Sequence, residues 1–405
     1  MYKRLLLNKI KKSAKTFPVV LITGARQVGK TTALKQLQSQ DNSINYVSLD
    51  DPLIRAQAIE DPENFMKLYQ PPLIIDEIQY CPDLMIYIKI NVDNSQKNGQ
   101  YYLTGSQTFH SMKGVSESLA GRVSILNLYS LSRREIKGLP SRPFLPKESL
   151  YKEESDDEYG VFDDIFLGGM PKLLSENNIS TDEYFASYIQ TYLDRDINEI
   201  IQVQNKLVFQ KFLSSMAART GTELNYTAIA NDIGVTTKTV QGWTSLLESS
   251  GIIYIVPPYY KNTIKKIIKR PKFYFMDTGL CCYLSMWNNP KALAVSAMAG
   301  QMFETYVASE IIKSYTNSGV YPNNRIFYYR DSNGKEIDLL IIENNTVYPI
   351  EIKKGANPSK GDIKNFGVLD KFSESIGPGI VLGTNTNPIK LTENVSASSF
   401  TIVGK

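Results

Sequence analysis

Apolar and polar positions alternate along the first third of the chain in short blocks that predict buried strands and helices. Residues 17–23, 73–76 and 123–128 are mostly apolar and short, so each block is predicted to be a strand. Residues 32–37 instead carry apolar side chains at helical spacing, which predicts a helix soon after the first strand. We therefore expect an α/β fold for this part of the chain.

A glycine-rich segment separates the first strand from the helix. It has the pattern G-x-x-x-x-G-K-[ST] over Gly24, Ala25, Arg26, Gln27, Val28, Gly29, Lys30 and Thr31. Glycines let such a loop wrap its N–H groups around a β-phosphate, and the helix N-terminus adds partial positive charge. We expect residues 24–31 and Thr32 to bind ATP, with Lys30 on the β- and γ-phosphates and the Thr31 hydroxyl on Mg²⁺. A structural glycine turn is the alternative.

The second apolar block ends in two carboxylates that complete this site. Asp76 closes the strand and is expected to hold Mg²⁺ through water, while Glu77 is expected to polarise the attacking water. A strand over residues 99–106 would deliver Thr104 or Ser106 towards the γ-phosphate. Arg122 either reaches the nucleotide of a neighbouring subunit or is a surface residue near a turn. The first of these roles requires a homo-oligomer.

Composition excludes several kinds of site. The 405 residues suggest two or three domains, and they include one histidine and three cysteines, which nearly excludes zinc sites, disulfide frameworks and His-assisted nucleophiles. Any metal should be a hard cation held by oxygen atoms, Mg²⁺ or Mn²⁺. No apolar run approaches the ~18 residues of a membrane span, and the basic N-terminus lacks a signal-peptide cleavage site. A cytoplasmic protein without a membrane partner is expected, and a net charge of +4 does not by itself indicate nucleic acid.

Residues 225–275 predict a winged helix-turn-helix. A helix, a glycine turn at Gly234 and a second helix are followed by two strand-like runs, 252–256 and 273–275. The expected recognition face shows Thr236, Thr237, Lys238 and Gln241, and the expected wing shows Lys261, Lys265, Lys266, Lys269, Arg270 and Lys272. With one cation and no arginine on that face, non-specific DNA contact is favoured over sequence readout, and a purely structural role is equally open. In the preceding helical stretch, Arg195 is either a lid-side sensor or, preferably, an intrahelical ion-pair partner.

The last third of the chain predicts a second charged site. An amphipathic helix over residues 300–313 precedes three strands with tight turns, 326–330, 336–342 and 346–353. Adjacent strands would bring Asp338 and Glu351 together, with Lys353 on the face of Glu351. Two carboxylates can hold a divalent cation, and the lysine can activate a water to attack a phosphodiester. The alternative is a surface Glu–Lys pair of a hairpin.

Several segments together resemble a known family. They are residues 24–31, 73–79, 103–106, 119–122, 168–171, 192–196 and 275–280. Their order resembles an AAA+ ATPase core and, more narrowly, bacterial and archaeal AAA ATPases fused to a C-terminal domain of unknown function. That resemblance implies ATP binding and a tail similar to PD-(D/E)XK nucleases. Asp338, Glu351 and Lys353 match that nuclease motif, with Glu304 as the additional acidic metal ligand and Ile337 in place of its usual proline.

The resulting expectation is a chain of three parts. Residues 1–140 form a P-loop ATPase core, residues 141–272 a helical and winged-helix middle part, and residues 273–405 a nuclease-like α/β tail. The first functional hypothesis is an ATPase that couples its nucleotide state to nucleic-acid binding and metal-dependent cleavage. The alternative is an ATP-controlled switch with a catalytically inactive tail that recognises DNA or a protein partner.

Overall fold

The computed structural model describes residues 2–105, 119–146, 160–176, 178–192, 206–260 and 270–404. The expectations for Ser106, for Arg195 and for the basic residues between 261 and 269 lie outside the described residues.

The first part is built on a parallel sheet. Its strands are β1 (Val19–Thr23), β2 (Asn45–Ser48), β3 (Leu73–Asp76), β4 (Tyr101–Thr104) and β5 (Val123–Asn127), in the spatial order β2-β3-β4-β1-β5. Its helices are α1 (Leu7–Ser13), α2 (Lys30–Gln38), α3 (Pro52–Glu60), α4 (Pro62–Leu68) and α5 (Leu84–Ser95). All four strand pairings are parallel, which confirms the predicted α/β core.

Burial on both faces explains why the strands are continuous apolar runs. In β1, Val20 and Ile22 pack in the apolar cluster that contains α2, while Val19 and Leu21 pack in the cluster that contains α5. Successive side chains of a strand point to opposite faces, so both sets must be apolar when helices cover both faces. Because the strands are parallel, the C-terminal ends of β1, β3 and β4 lie at one edge of the sheet.

The middle part is mainly helical. After the short helix α6 (Arg133–Ile136), which ends the first part, its elements are α7 (Val161–Leu167), α8 (Pro171–Ser175), α9 (Thr181–Tyr192), α10 (Lys206–Ala217), α11 (Tyr226–Ile233), α12 (Thr237–Ser249), β6 (Ile253–Val256), β7 (Lys272–Phe275), α13 (Thr278–Leu284) and α14 (Pro290–Ala294). Gly234, in the left-handed conformation, ends α11, and the Thr236 hydroxyl caps α12. The predicted order of helix, glycine turn, helix and two strands is confirmed, and the two strands pair in antiparallel fashion. The winged-helix function of this order stays a prediction.

Lys272, one of the predicted wing residues, does not lie on an exposed wing. Lys272 was expected on an exposed basic wing, but only 3% of its side chain is exposed. It starts β7, which pairs with β6, and its ammonium turns towards the C-terminal part. Arg270, two residues earlier, is exposed as predicted. The expectation for Lys272 was wrong because a carboxylate cluster compensates its burial, a compensation that a run of basic residues does not reveal.

The C-terminal part combines a long helix with a mixed sheet. Its elements are α15 (Ala299–Asn317), β8 (Ile326–Arg330), β9 (Glu336–Glu343), β10 (Thr346–Ile352), β11 (Ser375–Ile376), β12 (Gly379–Gly383), β13 (Ile389–Lys390) and β14 (Val395–Ser399). The spatial order is β13-β14-β12-β10-β9-β8, with β11 beside β10. The antiparallel β8-β9-β10 meander is confirmed, and the parallel neighbours β12 and β14 extend it.

An apolar cluster continues through all three parts. It includes Ile22 of β1, Trp243 of α12 and Ile311 of α15. Among the described residues, no helix has both the length and the apolar character needed to cross a bilayer.

Candidate nucleotide site and a second charged cluster

The backbone of the loop between β1 and α2 requires its glycines. Gly24 has φ +142°, and a Cβ atom there would lie 2.0 Å from the Leu128 carbonyl oxygen that follows β5. Gly29, with φ +95°, turns the chain into α2, whose first residue is Lys30. The loop therefore lies directly against the neighbouring strand end and presents the helix N-terminus to the sheet edge.

The Lys30 and Thr31 side chains point into the predicted site. The Lys30 ammonium donates to the carbonyl oxygens of Gly24 and Ala25, both at 2.9 Å. The Thr31 Oγ1 atom lies 3.0 and 2.9 Å from the two carboxylate oxygens of Asp76, and the Tyr46 hydroxyl donates to the same carboxylate at 3.0 Å. Hard oxygen donors from the loop and from β3 thus converge on one point, and they fit the requirements of Mg²⁺.

Thr104 braces the end of β3. Its hydroxyl donates to Asp76 and accepts the backbone N–H of Glu77 at 2.9 Å, and its side chain is fully buried. Thr104 therefore orients the two acids, and its predicted role towards the γ-phosphate stays a prediction. Glu77 has a left-handed backbone (φ +58°), and its carboxylate accepts a hydrogen bond from the Gln79 amide.

A cleft of about 590 Å³ lies over the loop. Its lining residues are Arg26, Gln27, Gly29, Lys30, Thr31, Thr32, Glu77 and Thr191. Apart from Thr191, all were predicted to belong to the nucleotide site. Thr191 comes from α9, so a helix of the middle part forms one wall. Ala25 and Val28 instead pack into the core, with their backbone contributing to the loop.

Arg122 lies away from this cleft. It directly precedes β5, and the register pairs Val123 with Val19 at the start of β1, so Arg122 is at the sheet edge opposite the loop. Its guanidinium forms two hydrogen bonds with Asp93 of α5, at 2.6 and 3.0 Å. One strand length, roughly 16 Å, separates the two edges. A role for Arg122 at a neighbouring subunit's nucleotide stays a prediction.

A buried arginine supports the loop from behind, and the sequence pattern did not reveal it. The Arg4 guanidinium donates to the Val28 carbonyl of the loop and, at 2.8 Å, to the Tyr129 carbonyl. Its Nε atom lies 2.9 Å from the Glu135 carboxylate, which also accepts from the Asn317 amide of α15 at 3.3 Å. One buried ion pair thus links the loop to the C-terminal part.

A second group of charged residues, hereafter the charged cluster, lies between the middle and C-terminal parts. Its members are Lys272, Glu304, Glu336, Asp338, Glu351 and Lys353. Asp338 of β9 accepts the Ile352 N–H at 2.8 Å, and Lys353 lies 2.6 Å from Glu351 and 3.9 Å from Asp338. The predicted proximity of Asp338, Glu351 and Lys353 is thus confirmed.

Lys272 joins the cluster from outside the C-terminal part. Its ammonium lies 3.0 Å from Glu304 and 3.9 Å from Asp338, and it contacts Glu336. The Tyr274 hydroxyl, on the same strand, donates to Glu304 at 2.7 Å. The strand β7 therefore completes a cluster whose acids come from α15, β9 and β10.

Burial dominates the electrostatics of these acids. Burial raises the pKa of Glu304 to about 7 and that of Glu351 to about 8, and the neighbouring Asp338 charge acts in the same direction. Burial acts to lower the pKa of Lys272, but Tyr274 and the carboxylates around the ammonium outweigh it and raise that pKa well above its ordinary value. Lys272 is thus held in its charged form.

The charged cluster does not fit the predicted divalent cation. Within the described ranges, no three His, Cys, Asp or Glu side chains are placed to share one metal ion. The acids instead form ion pairs with two ammonium groups: Glu304 with Lys272, and Glu351 with Lys353. Glu351 Oε2 is buried without a hydrogen-bond partner, but the acids near it form no group of three that could hold a metal ion. The expectation of Mg²⁺ or Mn²⁺ at Glu304, Asp338 and Glu351 is therefore unsupported.

Three family models match consecutive parts of the chain. Residues 16–137 match an AAA domain, residues 160–291 match a domain of unknown function (DUF8612), and residues 299–403 match another (DUF4143). The first match contains the loop, Asp76, Glu77 and Thr104. The second contains Lys272, and the third contains the rest of the charged cluster.

The chain is similar to uncharacterized proteins of Mycobacterium tuberculosis and Mycobacterium bovis. Each is 24% identical over 353 residues, which is 87% of this chain and 74% of the relative.

Among solved structures, a Walker-type ATPase of Pyrococcus abyssi is 14% identical with a TM-score of 0.43, covering 69% of this chain and 95% of that one. The Thermotoga maritima RuvB Holliday junction branch migration motor is 16% identical with a TM-score of 0.30, covering 62% and 89%. Together, the family match and the geometry of Lys30, Thr31 and Asp76 support an AAA-type P-loop domain over residues 16–137.

Proposed function

We propose that this chain is an ATP-hydrolysing switch whose nucleotide state controls how its middle part contacts nucleic acid. The observation that carries the proposal is the position of the loop. Thr31 and Asp76 already lie together in the site. The loop itself packs directly against the turn that follows α12. A Cβ atom at Gly251 would lie 3.4 Å from Gly24 Cα and 3.5 Å from the Ala25 nitrogen.

Within the cleft, each side chain has a distinct task in hydrolysis. The Lys30 ammonium would exchange the carbonyls of Gly24 and Ala25 for oxygens of the β- and γ-phosphates. Thr31 and Asp76 would hold Mg²⁺, which when bound neutralises phosphate charge. Glu77 would take the proton from the water that attacks the γ-phosphorus, with the Gln79 amide holding its carboxylate.

The helix α12 supplies a short route from the loop to the surface. Its C-terminal end leads into Gly251 at the loop, and its N-terminal end carries the exposed residues Lys238 and Gln241. Thirteen residues of helix span roughly 20 Å. A shift of the loop on ATP binding would therefore move the proposed recognition face as a rigid body.

A second route runs through α15. Towards its C-terminal end, the Asn317 amide donates to the Glu135 carboxylate, and the Glu310 carboxylate accepts the Arg133 N–H. Near its N-terminal end, Glu304 belongs to the charged cluster. The same helix thus touches the ion pair behind the loop and the cluster beside β7, which supports control of the C-terminal part by the ATPase domain.

Non-specific DNA is the proposed partner of the α12 surface. Lys238 makes no ion pair within the described part of the chain, so its charge is available for a phosphate. Thr236 and Thr237 precede it at the helix N-terminus, where hydroxyls and backbone N–H groups suit phosphate oxygens. No arginine accompanies them, so contact with the phosphate backbone is favoured over base readout.

The test combines hydrolysis with DNA binding. Purified full-length chain should hydrolyse ATP only with Mg²⁺, and Lys30→Ala should abolish turnover. Fluorescence anisotropy with duplex DNA should show an affinity that changes with bound nucleotide and weakens in Lys238→Ala. An exposed lysine remote from α12, Lys97→Ala, is the matched control. DNA affinity that is identical with and without ATP would refute the coupling while leaving the ATPase assignment intact.

Cleavage by the C-terminal part is not included in the proposal because the charged cluster lacks a shared metal position. Incubation of single- and double-stranded DNA with the full chain, Mg²⁺ or Mn²⁺, and ATP tests this. We expect the DNA to remain intact. Cleavage that disappears in Asp338→Asn and Glu351→Gln would instead establish the nuclease hypothesis.

A further inference from the structure

The ammonium of Lys272 lies between acids from two different elements. Glu304 comes from α15 and Asp338 from β9, and Lys272 Nζ is 3.0 Å from the first and 3.9 Å from the second. A cation held jointly by these two carboxylates would need the same volume. In addition, a positive charge this close strongly opposes a divalent ion.

The surroundings of Lys272 hold it in place. Its side chain is 3% exposed, and its ammonium also contacts Glu336 and lies 5.7 Å from the centre of the Tyr328 ring. The Tyr274 hydroxyl shares the Glu304 oxygen that Lys272 contacts. Withdrawal of the lysine would leave the buried Asp338 and the half-buried Glu304 and Glu336 without this counter-charge, which is unfavourable.

Lys353 differs from Lys272 in these respects. Its side chain is 42% exposed, and it follows β10 within the same C-terminal part. Its flexible stem can carry the charge into solvent at little cost. Of the two ammonium groups, Lys272 is therefore the one that decides whether a metal can enter.

We infer that Lys272 is the built-in cation of the charged cluster: it replaces a divalent ion between Glu304 and Asp338, and a neutral side chain in its place creates a divalent-cation site. This goes beyond the proposed ATPase switch and does not depend on it. It also makes the site a joint product of two parts of the chain, because the cation belongs to β7 and the acids to the C-terminal part.

Mn²⁺ binding to the full chain tests this inference. The experiment uses Asp76→Asn throughout, so that the nucleotide site does not contribute bound metal. Electron paramagnetic resonance counts free Mn²⁺ during titration. Asp76→Asn alone should show no saturable Mn²⁺ binding at the cluster, and added Lys272→Met should raise the affinity for one ion there roughly hundredfold or more. Further addition of Asp338→Asn should abolish that binding, and Lys353→Met in place of Lys272→Met should not create it.

Two results would overturn the inference. One is an Mn²⁺ ion bound with Lys272 intact and lost in Asp338→Asn. The other is a folded Lys272→Met variant that binds none. If Lys272→Met does not fold, Lys272→Met with Glu336→Gln removes one charge of each sign and should restore folding. That double variant should still bind Mn²⁺ through Glu304 and Asp338, and a folded double variant without binding also counts against the inference.

Discussion

Arg4 and Glu135 form a buried ion pair directly behind the phosphate-binding loop, although 131 residues separate them along the chain. Arg4 also donates to the Val28 carbonyl, and Glu135 accepts from the backbone of Leu5 and from the Ser132 N–H. The pair therefore fixes the start of the chain, the loop and α6 in one arrangement. The ion pair positions the loop as well as stabilising the fold, because Arg4 also hydrogen-bonds the loop backbone at Val28.

Loss of Arg4 should destabilise the fold and loosen the loop. Arg4→Met leaves Glu135 buried without its counter-charge, and we expect the free energy of unfolding to fall by roughly 3–5 kcal/mol. Arg4→Met with Glu135→Leu removes both charges and should recover a large part of that loss. Denaturant unfolding measures both variants, and ATP titration should show weaker binding in each. If the double variant loses as much free energy of unfolding as Arg4→Met and Glu135→Leu lose separately when added together, the two side chains are not coupled.

Gly24 should tolerate no side chain. Gly24→Ala places Cβ against the Leu128 carbonyl at φ +142°, so the loop must move away from β5. We expect reduced stability and loss of ATP binding, measured by denaturant unfolding and by fluorescent-nucleotide titration. Gly242→Ala in α12 is the matched control, since a Cβ there meets nothing within 4 Å. The free energy of unfolding of that control variant should rise by about 0.5–1 kcal/mol, because alanine is more favourable than glycine inside a helix. Normal ATP binding by Gly24→Ala would show that the close approach to Leu128 is dispensable.

Glu77→Gln should separate ATP binding from hydrolysis. The amide keeps the size of the side chain and its contact with Gln79 but cannot accept a proton from water. We expect kcat to fall roughly 10²–10⁴-fold with little change in ATP affinity. Steady-state phosphate release and nucleotide titration measure the two quantities, with the exposed Glu60→Gln as control. Unchanged turnover in Glu77→Gln would assign the base to another group.

The nucleotide site was predictable because its parts are local. Lys30 and Thr31 are fixed by a contiguous pattern, and Asp76 ends an apolar block, so the common edge of parallel strands brings them together. Arg4 reaches the same loop through tertiary packing alone, and no spacing in the sequence connects residue 4 to residue 28.

The charged cluster was predictable only where local strand geometry determines it. Strand alternation and hairpin geometry correctly placed Asp338 beside Glu351. Lys272, however, ends a basic run that is typical of an exposed surface, and only the packing of β7 against α15 buries it. The expected metal site is unsupported for that reason: the proximity of the acids was predicted correctly, and the Lys272 ammonium between them was not.

Stability should depend on pH through Glu351. Burial raises the pKa of Glu351 to about 8 in the folded protein, whereas an unfolded glutamate titrates near 4.5. Between these values the folded state binds more protons than the unfolded state, so this residue makes stability fall as pH rises from about 4.5 to about 8. Glu351→Gln has no such titration. Relative to the native chain, the variant should therefore gain stability steadily over that window.

Urea unfolding at pH 5, 6.5 and 8 measures this difference between Glu351→Gln and the native chain. The exposed Glu393→Gln serves as the control and should run parallel to the native chain at every pH. The Glu351→Gln difference must grow with pH, because only the native side chain acquires a buried charge there. Lys353, at 2.6 Å, offsets part of that charge, so Lys353→Met should steepen the native dependence. A difference that shrinks as pH rises would mean that Glu351 is ionised throughout, with its ion pair to Lys353 outweighing burial.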